Sequence, residues 1–134
     1  MMPVVLDADV VSFLFKNDSQ AQGYIPHLGD RQWVILFMTG AELAQWALLS
    51  KWNSQRTEWL RVFLARFVIV PSSHDLVVRW AEVMVAARRA GGRIETADAW
   101  VAATASLYDA ALITHNANDY LGVPGLNLIT EPIK

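Results

Sequence analysis

The chain has 134 residues, of which 54% are hydrophobic and none is cysteine, and its formal net charge is −2. A chain of this length is expected to fold as a single domain, residues 1–134, with a core that needs no covalent staple. The lack of cysteine excludes disulfides, thiolate metal sites and cysteine nucleophiles, and the slightly acidic balance excludes nucleic-acid binding through overall charge.

The sequence carries no targeting or membrane signal. Its apolar runs are much shorter than the ~20 residues that a membrane helix needs, and no basic region precedes the first acid, Asp7. We therefore expect a soluble, cytoplasmic protein with no membrane partner, and the absence of cysteine fits a reducing compartment.

Short apolar runs alternate along the chain with segments of helical periodicity. We predict strands at residues 3–6, 32–37, 67–71, 110–114 and 126–129. We predict helices at residues 10–17, 19–31, 39–53, 55–67, 73–91 and 96–109. This alternation predicts an α/β fold, a three-layer α/β/α sandwich around a central, mainly parallel sheet of about five strands.

Several acidic residues have an ordinary explanation at the start of a helix. Asp9 is a candidate N-cap of the first helix. Thr39 and Glu42 have the spacing of a capping box at the start of the third helix. Asp98 falls in the first turn of its helix, where a negative charge is favoured. No single acid is therefore strong evidence for a site.

As a set, the polar residues that follow the predicted strands point to one site. They are Asp7 after the first strand, Glu42 after the second, Asp98 at the start of the helix before the fourth, and Thr114, Asn116 and Asp119 after the fourth. Ligands of parallel sheets bind beyond the carboxyl ends of the strands, so we expect these residues to converge there. Clustered carboxylates repel one another, and a set of oxygen donors favours Mg²⁺ or Mn²⁺ as the compensating cation.

The opening segment resembles the first motif of haloacid-dehalogenase-type phosphatases. Asp7 would be the nucleophile of that motif and Asp9 its acid/base, and VILFMT resembles the second motif of the family. The family needs a lysine before its last acidic motif, and none of the three lysines in this chain is placed for that role. Its final pair of aspartates is also missing after ALIT. Both absences argue against the phosphatase, which we keep only as an alternative.

The whole set instead resembles the PIN domain family, in particular the VapC-type toxins of bacterial toxin–antitoxin pairs. The matching segments are LDADVVSFL, TGAELAQW, TADAWVAATA and LITHNANDYLGVPGLNLI, which span essentially the whole chain. The resemblance implies a PIN-like fold and an Mg²⁺- or Mn²⁺-dependent endoribonuclease that cleaves single-stranded or loop regions of RNA. It also implies a homodimer and a cognate VapB-like antitoxin. A non-catalytic PIN-fold module that binds RNA or protein is a further alternative.

The resemblance assigns roles to several acidic residues of this sequence. Asp7, Glu42 and Asp98 match the first three acids of the family, and Asp119 is our candidate for the fourth, with Asn116 as the alternative. We predict that Asp7 and Asp98 bind metal directly and that Asp119 binds it directly or through water. Glu42 would orient the attacking water or bind metal through it. The supporting polar residues are Thr114, Asn116 and Asp9.

Substrate and partner contacts are predicted from local charge and aromatic residues. Arg88, Arg89 and Arg93 are the first candidates for the RNA backbone. Further candidates are Lys16, Lys51, Arg56 and, as a substrate contact, His115. We expect the antitoxin to lie in a groove between the third helix, which starts at Thr39, and the helices near the amino terminus, with Trp46, Trp52 and Trp59 available to it.

Overall fold

A parallel sheet of five strands forms the centre of the computed structural model, which describes residues 2–132. The strands are β1 (Pro3–Leu6), β2 (Gln32–Leu36), β3 (Val68–Val70), β4 (Ala111–Ile113) and β5 (Leu128–Ile129). Their spatial order is β3-β2-β1-β4-β5, and all four pairings are parallel. The predicted sheet and α/β class are confirmed.

Helices cover both faces of the sheet. They are α1 (Ala8–Lys16), α2 (Ala21–Leu28), α3 (Phe37–Leu49), α4 (Ser54–Leu64), α5 (His74–Arg89) and α6 (Thr96–Leu107), and a short 3₁₀ helix spans Ala117–Tyr120. Within residues 2–132, no helix is long and apolar enough to cross a lipid bilayer.

Alternate residues of the central strand enter two separate cores. Val4 and Leu6 pack with α1 to α4 on one face, and Val5 packs with α5 and α6 on the other. All three side chains are fully buried, as expected for a parallel strand covered on both sides. The chain therefore forms the predicted three layers.

Two predicted helix starts are wrong. Asp9 is not an N-cap, because α1 begins at Ala8 and Asp7 caps it by accepting the Ala8 N–H at 2.9 Å. Thr39 and Glu42 form no capping box, because α3 already begins at Phe37, directly after the extended residue Leu36. The apolar run of β2 continues into α3, so the hydrophobic pattern gave no boundary and placed Phe37 in the strand.

A close backbone approach joins the α5–α6 connection to the segment after the 3₁₀ helix. A Cβ atom built on Gly92 would lie 2.7 Å from Gly122 Cα, and one built on Gly122 would lie 2.8 Å from the Arg93 carbonyl oxygen. Only glycine leaves room for this contact. It sets the start of α6 beside the end of the 3₁₀ helix.

We predict that Gly122→Ala lowers the free energy of unfolding by about 1–3 kcal/mol, because the added methyl group meets fixed backbone atoms. Gly40→Ala is the matched control. A Cβ at Gly40 meets no atom within 4 Å, so alanine should stabilise α3 by about 0.5–1 kcal/mol. Urea unfolding in EDTA measures both, and a Gly122→Ala protein as stable as wild type would contradict the close approach.

Candidate functional site

The Asp7 carboxylate is held at the carboxyl end of β1 by three hydrogen-bond donors. The Ala8 N–H donates to Oδ1 at 2.9 Å. The Thr114 hydroxyl donates to Oδ2 at 2.9 Å, and the Tyr120 hydroxyl donates to the same oxygen at 2.8 Å. These donors come from α1, from the residue after β4 and from the 3₁₀ helix, so three segments fix the orientation of one carboxylate.

Asp98 lies in the first turn of α6 and faces the same place. Its Oδ1 is 3.4 Å from the Tyr120 hydroxyl oxygen, which also contacts Asp7. Burial raises the pKa of Asp98, and the negative charges of Asp7 and Asp119 raise it further. The predicted convergence of strand-end acids is therefore present for these residues.

Glu42 and Asp119 complete the acidic group from two other elements. Partial burial raises the pKa of Glu42, and the charges of Asp7 and Asp98 add to the effect. Asp119, in the 3₁₀ helix, is exposed, and its charge raises the pKa of both Asp9 and Asp98. Asp98 thus interacts electrostatically with each of the other three predicted catalytic acids.

Asp9 links α1 to the segment after β4 instead of capping its own helix. One of its oxygens, Oδ2, accepts the His115 N–H and the Asn116 side-chain amide, each at 3.0 Å, and Oδ1 accepts the Val10 N–H at 2.7 Å. Burial and the charge of Asp7 raise the pKa of Asp9 to about 7, against the opposing effect of the backbone donors. The residue that the sequence suggested as a helix cap therefore connects two segments of the chain through hydrogen bonds.

Asn116 takes part in this connection through both its side chain and its backbone. Its side-chain amide donates to Asp9, and its backbone N–H donates to the Thr114 hydroxyl at 3.1 Å. Asp119, in contrast, acts on Asp98 through its charge. The hydrogen bonds of Asn116 and the charge of Asp119 favour Asp119 over Asn116 for the fourth position of the site. This assignment stays a prediction.

No basic side chain compensates these acids within the described part of the chain. The ion pairs there are His27–Glu131 and Arg61–Glu58, and neither includes an acid of the group. Among residues 2–132, no three His, Asp or Glu side chains are already arranged to hold a metal ion. The donor set is nevertheless made of hard oxygens with unbalanced negative charge, which fits Mg²⁺ or Mn²⁺. Glu42 and Asp119 are the exposed members of the group.

Tyr120 belongs to the site, although the sequence analysis assigned it no role. It is 1% exposed, and its hydroxyl lies among the acids. Burial, followed by the charge of Asp7, raises its pKa strongly. The available signal was a tyrosine at a core position, because a buried phenol needs a hydrogen-bond partner.

The three predicted RNA-binding arginines lie near the start of α6. Arg88 and Arg89 are in the last turn of α5, Arg93 is in the connection to α6, and all three are exposed. Neither ion pair found in residues 2–132 involves them. The contact of Gly92 with Gly122 brings this connection to the end of the 3₁₀ helix that carries Asp119.

Three of the other candidate side chains contact residues of the protein itself. Lys16 lies over the Trp46 ring at 5.5 Å, and Arg56 lies over the Trp52 ring at 4.3 Å. The His115 ring is hydrogen-bonded through Nδ1 to the Tyr24 hydroxyl. A role of His115 in substrate binding stays a prediction.

A cavity of about 470 Å³ lies away from the acids. Its lining includes Pro3, Arg31 and Ala111, which stand at or just before the amino ends of β1, β2 and β4. None of the candidate acids lines it. The acidic group itself lies at the opposite edge of the sheet.

Comparison with known proteins gives consistent matches. The family model of the PIN domain matches residues 4–122. The curated protein "Ribonuclease VapC1" of Haemophilus influenzae (strain R2866) is 24% identical over 127 residues, which cover 93% of this chain and 95% of that protein.

Solved structures with the same fold include two from toxin–antitoxin pairs. VapBC2 from Rickettsia felis, bound to a DNA fragment from their promoter, gives a TM-score of 0.83 at 22% identity and covers 98% of this chain and 100% of the matched chain. VapBC-1 from nontypeable Haemophilus influenzae gives 0.79 at 21% identity, with 96% and 98% covered. These likenesses establish the fold.

We predict that Asp9→Asn stabilises the metal-free protein at pH 8 and that the gain disappears as the pH falls to about 4. The folded-state pKa of Asp9, about 7, lies above its ordinary value of 3.8. The charged carboxylate therefore costs stability progressively as the pH rises between these values. The gain should be on the order of 1–3 kcal/mol, because the shift is partly offset by a lost hydrogen bond.

Urea unfolding in EDTA across this pH range measures the effect. Asp30→Asn, which alters an exposed acid, is the control and should not stabilise the protein at pH 8. A constant difference between Asp9→Asn and wild type at every pH would contradict the assignment.

Proposed function

This chain belongs to the PIN domain family, and from that premise we propose that it is a metal-dependent endoribonuclease toxin of the VapC type. The observation that carries the proposal is the convergence of Asp7, Glu42, Asp98 and Asp119 at one edge of the sheet without a compensating cation among the described residues. The likeness to a ribonuclease VapC1 supports the same reaction class. Such a toxin would act in the cytoplasm, where its RNA is found.

The proposed chemistry uses the acids in distinct roles. When bound, Mg²⁺ or Mn²⁺ supplies a water of lowered pKa and positive charge for the departing oxygen of the RNA phosphodiester. Asp7 and Asp98 would hold the cation directly, and Asp119 would hold it directly or through water. Glu42, on α3, would orient the attacking water.

The remaining polar residues keep this arrangement in place. Thr114 orients Asp7 through its hydroxyl, while Asp9 holds the Asn116 side chain. Both interactions tie the segment after β4 to the start of α1. The direction of the Asp7 carboxylate is therefore already set, which would lower the cost of ordering it when a cation binds.

The phosphatase alternative loses its basis with the family assignment. Asp7, its required nucleophile, accepts three hydrogen bonds here and caps α1. The non-catalytic module remains as a rival, because a PIN domain that binds metal without cutting RNA would have the same acids. A cleavage assay separates the rivals.

We predict that Asp7→Asn and Asp98→Asn each reduce Mn²⁺-dependent RNA cleavage at least about 100-fold, because each removes a ligand charge. End mapping should find 5′-phosphate and 3′-hydroxyl products. Asp30→Asn, which alters an exposed acid remote from the group, should cleave like wild type. Turnover of a small phosphate ester without RNA cleavage would support the phosphatase, and metal binding without either reaction would support the non-catalytic module.

The RNA backbone would be held by local cations, since the chain is acidic overall. Arg88, Arg89 and Arg93 are exposed, and they precede Asp98 on the chain by five to ten residues. Their position lets an RNA strand run from the acids along the end of α5.

We predict that the triple substitution of these arginines by alanine weakens RNA binding and flattens its salt dependence, because fewer counterions are released per complex. Affinity measured at several salt concentrations gives both values. The charge-matched control replaces Arg31, Arg61 and Arg66, which lie on other parts of the surface. Equal affinity and equal salt slope in the two triple variants would remove the assignment.

We also propose a VapB-like antitoxin as partner and a homodimer as assembly. The matched structures include a "toxin-antitoxin complex from Klebsiella pneumoniae", with a TM-score of 0.76 at 24% identity. On this chain, an apolar surface of α3 and α4 is available for a partner. Leu48, Leu49 and Trp59 are 78%, 75% and 61% exposed. For the dimer, Ile69 on the edge strand β3 is also exposed.

We predict that a small protein encoded beside this gene copurifies with the wild-type chain and is lost from a Leu48→Ala, Leu49→Ala, Trp59→Ala variant, which removes apolar contact area. Val78→Ala, which changes an exposed residue of α5, is the control and should keep the partner. Absence of any small partner from the wild-type chain would count against the toxin–antitoxin assignment.

A further inference from the structure

The Tyr120 hydroxyl touches two of the proposed metal ligands, and no other side chain of residues 2–132 is hydrogen-bonded to both. It lies 2.8 Å from Asp7 Oδ2 and 3.4 Å from Asp98 Oδ1. The ring is 1% exposed and packs in the core formed with α5 and α6. A buried ring gives the hydroxyl a fixed position, because rotation would require the core to repack.

We propose that Tyr120 is a positioning residue whose hydroxyl holds the Asp7 and Asp98 carboxylates at the spacing and orientation in which they take up one divalent cation. This inference rests on the metal-dependent function proposed above. It assigns Tyr120 no contact with the RNA or with the reacting atoms.

The first argument is the sharing of one donor by two acids. A phenol has one hydrogen to donate, and the two carboxylate oxygens lie 2.8 Å and 3.4 Å from the Tyr120 hydroxyl oxygen. The hydroxyl therefore places a partial positive charge between two groups that otherwise only repel each other.

The second argument comes from comparison with Thr114. The Thr114 hydroxyl donates to the same Asp7 oxygen at 2.9 Å, and its other hydrogen bond is to the Asn116 N–H. Thr114 thus fixes Asp7 alone, whereas Tyr120 sets Asp7 and Asp98 relative to each other. Without the phenol, electrostatic repulsion would turn the partly exposed Asp98 carboxylate away from Asp7, and a cation would have to restore their approach.

The opposite reading makes a different prediction. If the hydroxyl merely occupied the coordination space of the acids, its removal would free Asp7 and strengthen cation binding. The sign of the change in affinity therefore decides between positioning and competition.

The test is a calorimetric titration of Tyr120→Phe with Mn²⁺, beside the wild-type chain. We expect the dissociation constant to rise about 5- to 20-fold. Tyr24→Phe is the matched control, because Tyr24 is 0% exposed and its hydroxyl contacts His115 and the Glu131 N–H but no carboxylate. This control should lose stability and keep the wild-type affinity for Mn²⁺.

A second measurement needs no metal. Unfolding of wild type, Tyr120→Phe, Asp98→Asn and the double variant in EDTA forms a double-mutant cycle. We expect Tyr120→Phe to destabilise the wild-type chain more than the Asp98→Asn chain, because the asparagine removes the repulsion that the phenol moderates. If Tyr120→Phe alone fails to fold, Asp98→Asn should restore folding.

The outcomes are distinct. Unchanged or tighter Mn²⁺ binding by Tyr120→Phe overturns the inference while leaving the proposed function intact. Additivity in the cycle, or failure of Asp98→Asn to restore folding, also overturns it. A wild-type chain that binds no Mn²⁺ overturns the metal-dependent function and the inference with it.

Discussion

Repulsion among carboxylates at one edge of the sheet is the constraint on which the site depends. The charges of Asp7 and Asp119 raise the pKa of Asp9 and Asp98, and Asp7 and Asp98 act in the same way on Glu42. Such a cluster costs folding free energy whenever its members are ionised together. Neither ion pair of residues 2–132 includes one of these acids. The free-energy cost of their repulsion is instead reduced by hydroxyl and N–H donors.

Strand pairing explains how residues far apart in sequence meet. Leu6 of β1 is in register with Ile113 of β4, so the next residues, Asp7 and Thr114, leave adjacent strands side by side. The Asp7 N–H extends this pairing by donating to the Ile113 carbonyl at 2.9 Å. Parallel strands all end at the same edge, and the helices that start or pass there bring Glu42 and Asp98 to it.

The sequence allowed the sheet and the convergence of acids to be predicted because both follow from simple patterns. Apolar runs between amphipathic segments predict parallel strands, and acids placed where those runs end must meet. The starts of α1 and α3 were not predictable in the same way. Leu36 and Phe37 are both apolar although the helix begins between them, and Asp7 and Asp9 are both good caps although only Asp7 fulfils that role.

Hydrogen bonds between residues far apart in the sequence were the least predictable part of the site. The bond of Tyr120 with Asp7 joins residues 113 positions apart, and that of Asp9 with Asn116 joins residues 107 positions apart. Periodicity reports which face of an element a residue occupies but not which distant atom its polar group meets. Tyr120 and Asp9 therefore acquired their roles only when the segments were placed in space.

The most direct test of the account is thermal unfolding of the wild-type chain at pH 8 with and without Mn²⁺. A cation that binds the folded acids and not the unfolded chain raises the melting temperature as its concentration increases. The account predicts such a rise, and predicts that it is smaller at pH 5, where protons compete for the same carboxylates. A melting temperature that Mn²⁺ leaves unchanged at both pH values would contradict the claim that these acids form a cation site.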